Sequence, residues 1–248
     1  METQVISLDQ KSPSAILGLT GAFKGGYSTE PGDVEGMNFW DSVILGLVEG
    51  LTEFLPVSST FHLIFVSKAL GAGNGNFVKL FNVFIQSGAI LAVLALCWKN
   101  LRRDRALVKK IIAAFIPTAL LGVLSYVLIK KVFFESELGM TSVFLVVGIL
   151  FFVFEGLVKK GKLHPEKLLS ELTYGNAIII GVAQCLAFLP GVSRAGAVIL
   201  AMMILGFRRA DAAAFSFLLA VPTLLAAGVY DLYKTREAIL ASANNALL

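Results

Sequence analysis

Two apolar stretches decide the fold of this chain: GLVEGLTEFLPVSSTFHLIFVSKAL at residues 46–70 and GVAQCLAFLPGVSRAGAVILAMMILG at residues 181–206. Both are interrupted by proline or glycine, and both carry ionisable side chains. Among them are Glu49, Glu53, His62 and Arg194, which lie inside the apolar runs. Because ionisable groups are costly at membrane depth, those that occur there are functional candidates by default.

The composition places these stretches in a membrane. Hydrophobic residues make up 56% and charged residues 15% of the 248 residues, and the mean hydropathy is +0.79. This is too apolar for an ordinary soluble domain and predicts an integral membrane protein surrounded by the bilayer. The formal net charge of +4 is modest, and no aromatic residues are interleaved with the basic ones, so we expect no nucleic-acid partner. Anionic lipid headgroups are the expected partners of the basic segments.

The chain divides into a polar N-terminal tail, residues 1–37, and a single membrane domain, residues 38–248. Four runs have the length and apolarity of membrane-spanning helices, for which about 20 residues are needed. They are residues 78–98, 111–129, 140–158 and 212–233. The two motif-bearing stretches are instead broken by Leu-Pro turns, which predicts a re-entrant hairpin for each.

Basic residues predict the orientation of these segments. They crowd the connections 99–110 and 159–167, whereas residues 130–139 balance lysines with glutamates. By the positive-inside rule, the first two connections are cytoplasmic and the third is external. The first hairpin then enters from the external face and the second from the cytoplasmic face, so the two point towards each other.

The two halves of the chain also resemble each other. Three positions of the first stretch recur in the second at one constant offset: Gly46, Ser58 and Gly71 as Gly181, Ser193 and Gly206. Copies that enter from opposite faces form an inverted repeat, here about 38–158 and 174–248, and such folds place their site between discontinuous helices. The sequence therefore predicts an all-α polytopic membrane protein with an inverted repeat and two oppositely directed re-entrant helix hairpins. We expect the site where the hairpins meet.

Several motifs in collinear order carry a family resemblance. They are EGLTEFLPVSST at 49–60 followed by His62, Phe-x-x-x-Ile-Gln-x-Gly at 81–88, QCLA at 184–187, LPGVSR at 189–194 and FSFLLAVP at 215–222. Together they resemble the bacterial undecaprenyl-diphosphate phosphatase family, also called the bacitracin-resistance protein family. The resemblance implies a multi-pass enzyme of the bacterial inner membrane with six spanning helices and two re-entrant pairs. It also implies removal of the terminal phosphate of a polyprenyl diphosphate lipid, which yields the monophosphate carrier of cell-wall synthesis.

The chain departs from the family pattern at several positions. Phe61 stands where the family usually has glycine, and Ala195 and Val198 stand where it usually has serine and threonine. Because alanine and valine side chains donate no hydrogen bonds, we expect the diphosphate to be held by fewer donors than in relatives. The symmetry of the repeat also demands two more helices after residue 233, which residues 234–248 cannot supply. We therefore expect a piece of a longer protein or a shortened relative.

The ionisable and hydroxyl side chains have chemistry that suits a diphosphate ester. Arg194 can hold phosphate oxygens bidentately, and main-chain amides after Gly191 can add donors for an anion. The candidate nucleophiles are the hydroxyl groups of Ser58, Ser59 and Thr60. His62 is near enough to them in sequence to act as general acid or base.

Glu49 and Glu53 are four residues apart and so share one helical face. Two readings of this pair are open: it holds a divalent cation, Mg²⁺ or Ca²⁺, or it orients the base. The resemblance implies the catalytic positions Glu49, Glu53, Ser59, His62 and Arg194. Whether the serine or a metal-activated water attacks stays open from the sequence.

Other polar residues are candidates for substrate binding: Ser58, Thr60, Gln86, Gln184, Gly191 and Ser193. Each has a structural alternative. For Ser58 we prefer an N-cap of the next helix, and for Gln86 and Gln184 we prefer hydrogen bonds between helices. The two glutamates have the alternative of a structural ion pair with Arg194.

Three function classes remain open. A membrane phosphatase is favoured by two glutamates, a Ser-His pair and an arginine in facing hairpins. A polyprenyl-phosphate transporter or flippase is the second class, because inverted repeats with broken helices are typical of transporters. A non-catalytic relative is the third, suggested by Phe61, Ala195 and Val198. A homo-oligomer also stays open.

Overall fold

The computed structural model describes residues 37–71, 76–129, 137–161, 164–189 and 191–245. Within these ranges the regular structure is helical, apart from one isolated bridge between Lys167 and Phe207. The α-helices of this part of the chain are α1 (Phe39–Thr52), α2 (Ser59–Ala69), α3 (Asn76–Arg103), α4 (Arg105–Ile129), α5 (Glu137–Lys159), α6 (Tyr174–Gln184), α7 (Arg194–Ile204) and α8 (Arg209–Asn245). The all-α prediction is confirmed. The predicted N-terminal tail, apart from Met37, lies outside the described residues, and so does Pro190.

The first motif-bearing stretch folds into two short helices. A capping box begins α1: Asn38 Oδ1 accepts from the Asp41 amide at 3.0 Å, and Asp41 Oδ2 accepts from the Asn38 amide at 2.8 Å. The helix ends at the turn that contains Pro56, because proline has no amide proton for the helical ladder. The two helices pack against each other. With 14 and 11 residues they are roughly 21 and 16 Å long, short of the roughly 30 Å hydrocarbon core.

The second stretch has the same local design. Helices α6 and α7 contain 11 residues each, pack against each other and are separated by a 3-10 turn at Cys185–Phe188 and the residues after it. A glycine in the left-handed region follows both α2 and α7, with φ +70° at Gly71 and +92° at Gly206. Glycine adopts this conformation without steric cost and is the usual residue just past a helix end. The predicted break of both stretches into short helices is confirmed.

The four apolar runs predicted to span a membrane lie within the long helices α3, α4, α5 and α8. Helices α3 and α4 extend beyond these runs, up to Arg103 and from Arg105, because arginine and lysine are good helix formers. Among the described residues, two segments are long and apolar enough to cross a membrane, Thr141–Lys159 and Arg209–Tyr230, with mean hydropathies of 2.3 and 2.0.

The apolar core lies where α4, α6, α7 and α8 pack together. Its fully buried side chains include Ile180, Met202, Phe207 and Phe215. Gly181 lets α6 approach α4 closely, because a β-carbon at this position would overlap the carbonyl oxygen of Ala114. The core holds α7 against α8 and thereby fixes Arg194, the first residue of α7.

Candidate active site

The turns of the two motif-bearing stretches touch each other. The Ser193 hydroxyl donates to the main-chain carbonyl of Leu55 at 3.3 Å. Arg194 Nη2 donates to Glu53 Oε1 at 2.7 Å. These contacts bring candidate residues of both stretches to one place, where the sequence predicts the site.

The carboxylate of Glu53 is the centre of this arrangement. Its Oε1 pairs with Arg194, and its Oε2 accepts a hydrogen bond from Ser59 Oγ at 2.6 Å. Only 7% of Glu53 is exposed, so these contacts form where little water screens them. A carboxylate held on a serine hydroxyl has the geometry of a general base with its nucleophile. Of the three candidate hydroxyls, Ser59 is the one that this carboxylate holds.

Arg194 is held from a second side by α8. Its Nη1 donates to the main-chain carbonyl of Ser216 at 2.9 Å, while its Nε is buried with no partner among the described residues. The guanidinium therefore has a fixed position and a donor left for a further acceptor. Sequence reasoning did not single out Ser216, because every residue type has a main-chain carbonyl and the residue type therefore does not indicate this contact. Its one signal is its place in the FSFLLAVP motif.

The start of α7 presents main-chain amides next to the arginine. Ser193 Oγ accepts from the Gly196 amide at 3.1 Å and so caps the helix. Gly191, two residues earlier, has φ +94°, a conformation that favours glycine. The Ser193 hydroxyl thus accepts from an amide of its own helix and donates to the Leu55 carbonyl. It therefore links the two turns.

Ser58 does not have the preferred structural role that the sequence indicated. It stands at the N-cap position of α2, but its side chain makes no capping hydrogen bond. The reason is its backbone, with φ 58° and ψ 89°, whereas a capping residue has a non-helical, typically extended backbone that aims its hydroxyl at the first amides. The expectation of a side-chain cap at Ser58 is wrong. Its carbonyl instead accepts from the His62 amide at 3.3 Å and lies 2.9 Å from His62 Nδ1.

A cavity of about 100 Å³ lies beside these groups, large enough for several water-sized groups. Its polar lining consists of Glu53, Ser58, Ser59, Thr60, Gln86, Ser193 and Arg194. One guanidinium and several hydroxyl groups thus converge on a small space. Because a guanidinium donates charge-assisted hydrogen bonds to phosphate oxygens, Arg194 makes the cavity suited to a phosphate group, although the Ser59 and Ser193 hydroxyls already donate to Glu53 and Leu55.

Glu49 lies one helical turn before Glu53 on α1 and does not line the cavity. It is 1% exposed, and neither of its carboxylate oxygens has a hydrogen-bond partner among the described residues. The carboxyl group interacts electrostatically with Glu53 and Arg194. Because burial of a carboxylate without hydrogen bonds is costly, these oxygens are open to a cation or a proton.

The glutamate pair fits one class of metal ion. Mg²⁺ is usually held by one or two carboxylates together with substrate phosphates and water, and Glu49 has two oxygens free of hydrogen bonds. In the described part of the chain, no group of three or more His, Cys, Asp or Glu side chains is placed to hold a metal ion. Both Glu53 oxygens already contact Ser59 and Arg194, so Glu49 supplies the carboxylate oxygens that are left for an ion.

Gln184 belongs to a polar cluster between three helices and does not line the cavity. Its Nε2 donates to Thr118 Oγ1 at 2.8 Å and to Thr223 Oγ1 at 3.2 Å, which links α6 to α4 and α8. This is the helix-linking role that we preferred from the sequence. The sequence did not indicate the two threonines, which are isolated hydroxyls in apolar runs. Gln86, in contrast, lines the cavity.

Three further positions lie outside the cavity lining. His62 contacts the Ser58 carbonyl and two phenylalanine rings. Ala195 and Val198 are buried, Val198 within the apolar core. A hydroxyl group at position 198 would therefore enter the core and not the phosphate-sized cavity, so its absence here does not remove a donor from that space.

Comparisons with known proteins identify the family. The family model described as bacitracin resistance protein BacA matches residues 42–247. A protein of Campylobacter hominis named undecaprenyl-diphosphatase is 47% identical over 210 residues, which cover 84% of this chain and 81% of that protein. A protein of the same name from Persephonella marina is 48% identical over 198 residues, which cover 80% of this chain and 77% of that protein. A third, from Aquifex aeolicus, is 43% identical over 212 residues, which cover 86% of this chain and 82% of that protein. The chain is a membrane protein, and it belongs to the bacitracin resistance protein BacA family.

Proposed function

We propose that this protein is an undecaprenyl-diphosphate phosphatase, which converts the diphosphate lipid to the monophosphate carrier and inorganic phosphate. The relatives described above carry the name of this activity, and the family description supports a role in bacitracin resistance. The observation that carries the proposal is the Glu53 carboxylate, which holds the Ser59 hydroxyl at 2.6 Å and Arg194 at 2.7 Å. A base, a nucleophile and a phosphate-binding cation are thus in direct contact.

The proposed reaction is a displacement at the terminal phosphorus of the lipid. Ser59 Oγ forms the new bond to phosphorus, Glu53 Oε2 accepts the serine proton, and the bond from phosphorus to the bridging oxygen breaks. The polyprenyl monophosphate leaves with the bridging oxygen. The oxygen of a water molecule then bonds to phosphorus while the bond to Ser59 Oγ breaks, and the proton held by Glu53 returns to Oγ, which releases inorganic phosphate and restores the serine hydroxyl.

Arg194 and the amides of α7 supply the positive charge for this step. Negative charge is spread over the phosphoryl oxygens in the transition state, so fixed donors aimed at them lower the barrier. The contact of Arg194 with the Ser216 carbonyl keeps the guanidinium in place. His62 is the proposed acid that protonates the leaving oxygen and the proposed base for the water.

Glu49 and Glu53 are the proposed ligands of a divalent cation, Mg²⁺ or Ca²⁺. The support is the pair of buried Glu49 oxygens without hydrogen bonds in the described part of the chain. When bound, such an ion neutralises charge on the phosphate oxygens.

The proposed placement is a multi-pass protein of the bacterial inner membrane. In it, α1–α2 and α6–α7 are oppositely directed re-entrant hairpins of an inverted repeat. The support is that all four helices are too short to span, that both pairs share one local design, and that their turns are in contact.

Phosphate release from a polyprenyl diphosphate by the purified protein in detergent tests the proposed activity. We expect Ser59→Ala to lower kcat at least roughly 100-fold, because it removes the nucleophile. Ser67→Ala is the matched control on the same helix: Ser67 is buried, and its hydroxyl has no hydrogen-bond partner among the described residues. A wild-type protein that binds the lipid yet releases no phosphate would contradict the proposal and favour a transporter.

A further inference from the structure

Helix α5 contacts α2 through an aromatic cluster beside the candidate site. Phe144 of α5 stacks on Phe61 of α2, with ring centroids 4.5 Å apart and planes 8° from parallel. Phe144 also meets the His62 ring edge-on, at 6.2 Å and 72°, and Phe61 meets it at 5.9 Å and 80°. Stacked and edge-on arrangements at these distances are the favourable geometries of aromatic pairs.

The other contact of the His62 ring fixes which nitrogen carries the proton. Nδ1 lies 2.9 Å from the main-chain carbonyl of Ser58. A carbonyl oxygen only accepts hydrogen bonds, so Nδ1 must donate, and it does so in the neutral and in the cationic ring alike. Nε2 is then the atom that gains or loses a proton. This arrangement depends on the ring orientation, because a half-turn of the ring would place a carbon against the carbonyl.

Packing of the rings is what opposes that half-turn. The Ser58 carbonyl holds one edge of the imidazole, and Phe144 and Phe61 contact the ring from α5 and α2. Only 6% of the apolar part of α5 is buried, and the stack of Phe144 on Phe61 is one of the contacts that tie this helix to the rest of the protein. Phe61 stands where the resembling family usually has glycine, so the stack depends on a departure of this chain from the family pattern.

We propose that Phe144, together with Phe61, is a positioning residue that holds His62 with Nδ1 on the Ser58 carbonyl and leaves Nε2 to exchange the catalytic proton. The inference rests on the proposed function in one respect, since it takes His62 as the acid–base group of the phosphatase. The orientation of the ring itself is independent of the activity and can be measured separately.

Nitrogen NMR of ¹⁵N-histidine-labelled protein in lipid measures that orientation. The chain has 2 histidines, so a His164→Gln background leaves His62 as the sole reporter. We expect a single tautomer, protonated at Nδ1, in this background at a pH where the ring is neutral. Phe144→Ala should give a mixture of both tautomers. Phe144→Leu removes the ring but keeps an apolar side chain, so it tests the same role in a variant that is less prone to misfold. Phe152→Ala is the control on the same helix, because the Phe152 side chain is 81% exposed.

Kinetics on the same variants connect the orientation to the reaction. A misoriented acid–base group slows the chemical step more than it weakens binding, so we expect Phe144→Ala and Phe144→Leu to lower kcat at least about tenfold with KM within about threefold. Phe61→Gly should have a smaller effect in the same direction, because the edge-on contact of Phe144 with His62 remains.

The two proposals fail in different ways. A single Nδ1-protonated tautomer that persists in both Phe144 variants would overturn the positioning role, and so would protonation at Nε2 in the His164→Gln protein. Absence of phosphate release from wild type, together with a tautomer mixture in the variants, would instead overturn the phosphatase and support the positioning of the ring.

Discussion

At the scale of single residues, the pair of Glu53 and Arg194 sets the charge of the site. A buried ion pair is favourable only where good geometry and further hydrogen bonds compensate for lost hydration. Both Glu53 oxygens have such bonds, one to Arg194 and one to Ser59. Arg194 has a second anchor at Ser216 and an unused Nε donor in the described part of the chain. The pair is therefore arranged so that the arginine can donate to a phosphate while Glu53 keeps its hydrogen bond from the serine.

Arg194→Lys tests the geometry of the cation. Lysine keeps the charge but cannot bond Glu53, the Ser216 carbonyl and a phosphate with one planar group. We expect kcat to fall at least about tenfold, equivalent to roughly 1.4 kcal/mol in the barrier. Measurement of kcat and KM for phosphate release checks this. Arg209→Lys, at a partly exposed ion pair with Glu155, is the matched control, and activity of Arg194→Lys within about twofold of wild type would make the arginine a structural counter-ion.

Glu49→Gln tests the divalent cation. If Glu49 is a ligand, chelator should abolish phosphate release from wild type, and the variant should need at least about tenfold more metal for half-maximal activity. A metal titration of both proteins measures this, with Glu155→Gln as the control at a partly exposed carboxylate. A wild-type enzyme that is indifferent to chelator would exclude the metal role and leave Glu49 with a direct acid–base role or a role in orienting the base.

Residue types in the sequence pointed to the side chains that meet at the two turns, but they did not reveal the backbone conformations and main-chain contacts there. Glu53 and Arg194 were identified because charged groups are out of place in apolar runs, whereas Ser59 was singled out from Ser58 and Thr60 only by the family resemblance; the structure brings Glu53, Ser59 and Arg194 into contact. The side-chain cap expected at Ser58 is absent because its backbone is left-handed, and this conformation depends on the turn and not on the residue type. Ser216 was missed because its contribution is a main-chain carbonyl.

At the scale of helices, the sequence predicts breaks and lengths but not neighbours. Proline in the sequence of both stretches and glycine after α2 and α7 are local signals, so the short helices were predictable. The pairing of α4 with α6 depends on Gly181, where the backbone of α4 comes too close for a β-carbon. Association of helices in lipid is driven by such close packing and by hydrogen bonds, not by hydrophobicity. The apolar pattern therefore does not reveal which helices touch.

Gly181→Ala tests this close approach. The added methyl group would collide with the Ala114 carbonyl, which must shift, so we expect a loss of roughly 1–3 kcal/mol in the free energy of unfolding. Gly148→Ala is the control, because nothing lies within 4 Å of a β-carbon there. Unfolding of both variants in detergent, followed by circular dichroism, measures the difference. Equal stability of the two variants would show that α4 and α6 can separate without cost.

At the scale of the whole molecule, the basic connection after α5 lies beside the start of α8, where Lys167 forms main-chain hydrogen bonds with Gly206 and Arg208. Leu101 and Leu107, at the junction of α3 and α4, pack against the core cluster that contains Phe207. Arg209, at the start of α8, forms an ion pair with Glu155 near the end of α5. The end of α5, Lys167 and the start of α8 therefore lie together, as a placement of these segments at one membrane face requires.

Single-cysteine labelling tests the proposed membrane placement. Cys97 and Cys185 are free cysteines, and their replacement by serine gives a background for Arg103→Cys, Leu168→Cys and Phe39→Cys, all at exposed positions. If the two hairpins enter from opposite faces, an impermeant maleimide added to intact cells should label position 39 and spare positions 103 and 168, because only the first hairpin opens to the outside. Opened cells should label all three, which controls for reactivity. Labelling of positions 39 and 168 from the same face would rule out oppositely directed hairpins, since both pairs would then enter from one side.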